Sequence, residues 1–156
     1  MLGRLGFSML SYMFFTLAAA LMCEAIISLS PTIASSYVSI LGMAFFNFTF
    51  SGLFIKAQSL PSWLSPWIPS VSMIRWNFQA NFINTFKDSS YFGTLPSGYS
   101  IYVAFLNLFG WGGKTKWYCL YMVLANVAVF KFLCLLASGY STLLNKGKQK
   151  KVDIQD

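Results

Sequence analysis

The sequence predicts an all-α fold: a polytopic membrane protein with about three transmembrane helices and a re-entrant or interfacial helix in a long external loop. Three observations lead there. Of the 156 residues 56% are hydrophobic and only 10% are charged, far below the roughly 25% charged of a soluble domain. Residues 5–30, 33–55 and 117–144 are apolar runs carrying at most one charge each, and about 20 such residues cross a hydrocarbon core roughly 30 Å thick. Residues 56–116, between the last two runs, mix proline, tryptophan, arginine and asparagine in a pattern that neither spans nor reads as plain loop.

Residues 5–30 form the first span, long enough to cross with some tilt. Ser8, Ser11, Ala18, Ala19, Ala20 and Ala25 offer small surfaces on which a neighbouring helix approaches closely. Glu24 is its one charge and falls near the far boundary, where a carboxylate reaches water or meets a cation from another helix. The run is longer than a signal-peptide core and lacks a clear small-residue cleavage site, so it reads as a retained span.

Ser30-Pro31-Thr32 leaves room only for a tight hairpin before the second span, residues 33–55, which Pro31 can help to start. Tyr37, Leu41, Phe45, Phe48 and Gly52 recur at helical spacing along it, and Ser35, Ser39, Gly42 and Thr49 make a narrower face of small residues. An aromatic stripe on a membrane helix serves lipid contact or core packing as well as a ligand path. Asn47-Phe48-Thr49 matches a glycosylation sequon but lies inside the span, out of reach of a lumenal enzyme.

Beyond residue 55 regular helix gives way, because Pro61, Pro66 and Pro69 lack backbone donors and push the residue before each out of helical angles. Trp63 and Trp67, one helical turn apart, mark the membrane interface. Residues 71–86 carry Arg75, Asn77, Gln79, Asn81 and Asn84. They are too polar and too short to span, and read as a partly buried helix against other helices. Residues 87–100 read as surface loop, residues 101–109 as an interfacial segment, and Gly110-Trp111-Gly112-Gly113 as a flexible connector.

The third span, residues 117–144, starts at the interfacial pair Trp117-Tyr118 and ends at a lysine-rich tail. Its single charge, Lys131, lies about 9 Å from the nearer boundary at 1.5 Å per residue, so it either snorkels or meets a buried partner.

Net charge is +7. Four of the basic residues are Lys146, Lys148, Lys150 and Lys151, just past the last span, which favours a membrane surface over nucleic acid. The same lysines assign residues 146–156 to the cytoplasm and residues 56–116 to the outside. Three spans then leave the N-terminus outside although Arg4 favours the cytoplasm, and we expect upstream sequence missing from a truncated chain. Cys23, Cys119 and Cys134 all lie in apolar runs, and the absence of histidine or a CxxC pair argues against zinc and disulfide frameworks. No GxxxxGK[ST] phosphate loop is present, so no ATPase site is expected in this chain.

Phe50-Ser51-Gly52-Leu53-Phe54-Ile55 resembles the end of the fifth span in the G subfamily of ABC transporters, the white-brown and pleiotropic-drug-resistance type. Leu60-Pro61-Ser62-Trp63-Leu64-Ser65-Pro66-Trp67 is similar to that family's proline and tryptophan turn. Ser72-Met73-Ile74-Arg75-Trp76, Asn81-Phe82-Ile83-Asn84-Thr85-Phe86 and Val129-Phe130-Lys131-Phe132 follow in the family order. The resemblance implies that residues 1–145 are the C-terminal part of an ABC-2 type transmembrane domain, its spans four to six. It implies part of an ATP-driven exporter of lipids, sterols or other amphipathic molecules in the plasma membrane or an organelle membrane. Expected partners are the lipid bilayer, a second transporter half and a nucleotide-binding domain holding ATP-Mg, with no cofactor, metal or nucleic acid in this chain. Leu41, Phe45 and Phe48 would line the substrate path, and Leu53 and Phe54 would form its external gate. The alternative is a small structural or assembly subunit of a membrane complex with no transport path.

Overall fold

The computed structural model describes residues 2–56, 59–87 and 101–152, with side chains as far as Gly139. Among them the regular structure is entirely helical: α1 (Leu2–Leu29), α2 (Ile33–Thr49), α3 (Ile68–Val71), α4 (Met73–Phe86), α5 (Ile101–Leu108) and α6 (Lys116–Val152). Two of these, Leu2–Leu29 and the Lys116–Gly139 part of α6, are long and apolar enough to cross a membrane.

α1 and α6 run parallel. Phe7 meets Trp117 edge-on at 5.3 Å and shares a buried cluster with Cys119, Leu120 and Val123. One end further on, Ala18, Leu21, Met22 and Ala25 pack on Phe130 and Cys134, whose thiol donates to the Leu21 carbonyl at 3.2 Å. The small residues of α1 make this approach possible: Ser11, Ala18 and Ala25 are buried at a seven-residue interval, while Ala20 points outward. On α6 the buried residues Cys119, Val123, Asn126, Phe130, Cys134 and Ala137 follow helical spacing. Glu24 and Lys131 are both exposed, so neither is a buried charge seeking a partner inside the bundle.

α2 and α4 are both antiparallel to α1 and lie along different halves of it. The hairpin at Ser30-Pro31-Thr32 is closed by a capping box, in which the Thr32 hydroxyl accepts the Ser35 N–H and the Ser35 hydroxyl accepts the Thr32 N–H. α2 then returns beside the second half of α1, with Met43 against the Ala18 cluster. α4 continues beside the first half. The Ser11 hydroxyl donates to Asn77 Oδ1 at 2.7 Å, and the Asn84 amide donates to the Arg4 carbonyl at 2.8 Å. With 17 and 14 residues, α2 and α4 measure roughly 46 Å together, close to the roughly 42 Å of the 28-residue α1. They form one broken antiparallel partner for α1 and α6.

One expectation is refined and one is corrected. The second span was read as residues 33–55 with a turn at Phe50-Ser51-Gly52-Leu53-Phe54, and α2 ends at Thr49, directly before that turn. Phe50 takes φ −92° and ψ 13°, the Ser51 hydroxyl turns back to the Phe48 carbonyl at 2.6 Å, and Gly52 adopts φ +95°. The chain thereby leaves the helix axis six residues before the apolar run ends. Residues 110–113 were expected to be flexible, yet Trp111 is only 2% exposed and hydrogen-bonded at both its indole and its backbone. The polar segment after the proline turn does form a partly buried helix, α4. Trp63 and Trp67 are exposed, with the Trp67 indole donating to the Trp63 carbonyl at 2.8 Å, one turn back. Most of the loop expected at residues 87–100 lies outside the described residues, and the lysine-rich tail is described only as the continuing backbone of α6 to Val152.

Candidate functional site

The residues assigned to a path lie on one face of α2, turned away from α1 and α4. Leu41 is 69% exposed, Phe45 72% and Phe48 44%. The opposite face supplies what α2 needs from its neighbours: Met43 packs on the α1 cluster, and Ser36 and Asn47 are buried. Spacing of four and three residues brings the three exposed side chains into one stripe. Leu41 and Phe45 are the most exposed of the three, and Phe48 is partly covered. The stripe presents flat and branched apolar surface suited to non-directional contact with an amphipathic ligand.

Leu53 and Phe54 follow directly on the turn and are exposed as well. Phe54 packs on Phe48 with ring centroids 5.1 Å apart, which brings one expected gate residue against the stripe. Leu53 is tied at its backbone, where its N–H donates to the Ser51 hydroxyl at 3.3 Å.

The turn that carries them is seated on a buried polar node that sequence reasoning did not assign. The Trp111 indole N–H donates to the Ser51 carbonyl at 3.0 Å. Its own chain is held in turn: Arg75 Nη2 donates to the Gly110 carbonyl at 3.0 Å, Gln79 Nε2 to the Trp111 carbonyl at 3.5 Å, and the Trp111 N–H to the Leu106 carbonyl at 2.8 Å. Arg75 and Gln79 lie one turn apart on α4 and are both buried. Arg75 leans over the adjacent Trp76 ring at 5.5 Å, an attraction that partly offsets desolvation of the guanidinium. The remaining Nε and Nη1 of Arg75 and Oε1 of Gln79 have no partner among the described residues. The sequence signalled only half of this node: an arginine and a glutamine four residues apart on a buried helix need acceptors, but the connector that supplies them lies more than 30 residues away in the chain.

At the Phe7 end of the bundle, Asn84 joins three elements. Its amide donates to the Arg4 carbonyl and the Ser8 hydroxyl, and its Oδ1 accepts from Lys116 Nζ at 3.1 Å. The same ammonium lies 5.1 Å from the centre of the Phe7 ring. A separate cleft of about 280 Å³ opens between α1 and α4, with aromatic walls including Tyr12, Phe78 and Phe82 above Asn77 and Asn81.

Among the described residues no group of histidine, cysteine, aspartate and glutamate side chains is placed to hold a metal. No family model matches the chain, and no curated protein matches it.

Proposed function

We propose that this chain is the membrane-embedded part of an ATP-driven exporter of lipids, sterols or other amphipathic molecules. In this reading it is an integral, multi-pass protein whose spans are α1, the broken pair α2 and α4, and α6. It belongs to an ABC-2 type domain of the G subfamily. The observation that carries the reading is the exposed apolar stripe Leu41, Phe45 and Phe48 on a helix that stops inside the bundle. A broken helix at membrane depth needs protein partners for every freed backbone group, and secondary transporters place such breaks beside their substrate sites. A helix serving only to fill the bundle has no need of that break.

In the proposed arrangement two such halves face each other across α2, so each stripe forms one wall of a shared apolar path. Phe54 leans on Phe48 at its outer end, and Leu53 and Phe54 close the path towards the outside. Energy comes from a nucleotide-binding domain that contributes ATP-Mg chemistry from another part of the assembly.

The test is purification of the tagged protein from its own membranes into lipid nanodiscs, followed by assay of ATP hydrolysis. The proposal expects a nucleotide-binding polypeptide in the same particle and turnover stimulated by amphipathic compounds. A particle that contains neither is a structural assembly, and the transport reading fails.

A further inference from the structure

We propose that Trp111 is the positioning residue of the outer gate: its indole holds the Ser51-Gly52 turn and thereby fixes where Leu53 and Phe54 sit. The term gate rests on the transport reading above, whereas the positioning of the turn does not.

Four observations converge on the indole. The bond from Trp111 Nε1 to the Ser51 carbonyl joins the end of α2 to the connector before α6, segments 60 residues apart in the chain. Gly52 is built for that contact, since a Cβ placed there lies 2.6 Å from both the Phe109 carbonyl oxygen and Trp111 Nε1. Its φ of +95° is also one that residues with side chains rarely adopt. The connector itself is clamped by Arg75 and Gln79 of α4 through the Gly110 and Trp111 carbonyls. Finally, the Trp111 ring is wedged between aromatic neighbours, 4.8 Å from Phe109 and 5.9 Å from Phe82.

Mechanical consequences follow from the order of these links. Leu53 hangs from Ser51 through its own N–H, so it cannot shift far while Ser51 stays on the indole. Displacing Leu53 and Phe54 requires either that the Ser51 to Trp111 bond break or that the connector move with the turn. Because α4 holds the connector and α6 begins at Lys116 just after it, motion of either helix is transmitted to the turn. Arg75 is then more than a buried charge tolerated at cost, since its guanidinium fixes the carbonyl next to Trp111.

The experiment uses the full chain in membranes with Cys23→Ala and Leu53→Cys. An impermeant thiol reagent is added from outside, and the labelling rate at position 53 is measured relative to a Lys114→Cys reference chain. Trp111→Phe keeps a buried aromatic ring and removes only the N–H donor. It is expected to raise relative labelling about fivefold, the ratio that one net hydrogen bond supplies. Trp67→Phe removes a different, exposed indole and is expected to leave the rate unchanged. Should Trp111→Phe fail to fold by thermal melting in detergent, Gln79→Leu loosens the same connector with the indole intact and is expected to raise the rate several-fold. An unchanged rate in a folded Trp111→Phe or Gln79→Leu chain overturns the proposal. Faster labelling combined with unaltered transport by Phe45→Ala keeps the positioning role and removes the path assignment instead.

Discussion

The Ser72 hydroxyl donates to the Asn47 carbonyl at 2.8 Å while Asn47 Oδ1 accepts the Met73 N–H at 3.1 Å, so two residues splice the end of α2 to the start of α4. Asn47 also turns its amide onto the Met43 carbonyl at 3.0 Å, and the Ser72 hydroxyl accepts the Arg75 N–H at 3.3 Å. Free carbonyls at the end of one helix and free N–H groups at the start of the next are thus satisfied by side chains. The negative end of one helix dipole also meets the positive end of the other. This is how a broken helix is tolerated away from water.

Asn47→Leu is expected to destabilise the fold by about 1–3 kcal/mol, because it strands the buried Met73 N–H. Combined with Ser72→Ala, the loss should fall short of the sum of the single losses, as both act on one splice. Thermal unfolding in detergent, read by intrinsic fluorescence, measures both. Strict additivity would mean that the two residues act independently.

Glycine substitutions separate the turn from the helix. Gly52→Ala meets a positive φ and two contacts at 2.6 Å, and is expected to cost at least about 1–3 kcal/mol. Gly42→Ala, in the middle of α2 with nothing within 4 Å of the added Cβ, is expected to stabilise by about 0.5–1 kcal/mol. Melting temperatures of the two variants should therefore move in opposite directions.

Much of the helical frame was legible from the length and apolarity of the runs. The runs 5–30 and 117–144 correspond to α1 and α6 within a few residues at their starts, as expected of long apolar runs with one charge each. The partly buried character of residues 71–86 was legible as well, because Asn77, Asn81 and Asn84 need protein acceptors and donors. What stayed hidden depends on contacts remote in sequence. The turn after Thr49 was legible in Phe50-Ser51-Gly52, whereas what holds it, Gly52 seating on Trp111 and Ser72 reaching Asn47, was not. Glycines around Trp111 suggested freedom, whereas the fold uses them to let a connector lie close against α2 and α4. On the candidate path, the shared face of Leu41, Phe45 and Phe48 was legible from spacing, and the attachment of Leu53 through Ser51 was not.

Parallel α1 and α6 place the Ser30-Pro31-Thr32 hairpin and the end of the last helix at one end of the bundle and Lys114 at the other, so in the proposed membrane reading they lie on opposite sides. With the lysine tail in the cytoplasm, Lys114→Cys should react with impermeant reagent in intact cells. Pro31→Cys should react only after permeabilisation. Equal reaction at both sites in intact cells would rule out α1 and α6 as spans.

Anchoring of the α1, α4 and α6 ends near Phe7 is expected to depend on Asn84 more than on the lysine it holds. Asn84→Leu removes three hydrogen-bond partners at once, and should lower the melting temperature more than Lys116→Met. A lysine near the surface keeps access to water and to headgroups, so its loss costs little. The reverse order would assign the anchoring to Lys116 and its ring contacts.

Transport per folded molecule, measured in proteoliposomes of the complete transporter for Phe45→Ala and Phe48→Ala, tests the central claim most directly. Both side chains are exposed in the fold, so abundance and melting temperature should change little. The account predicts an altered preference between two amphipathic substrates of different shape. Unaltered preference and rate in both folded variants would contradict it, and the stripe on α2 would then face lipid.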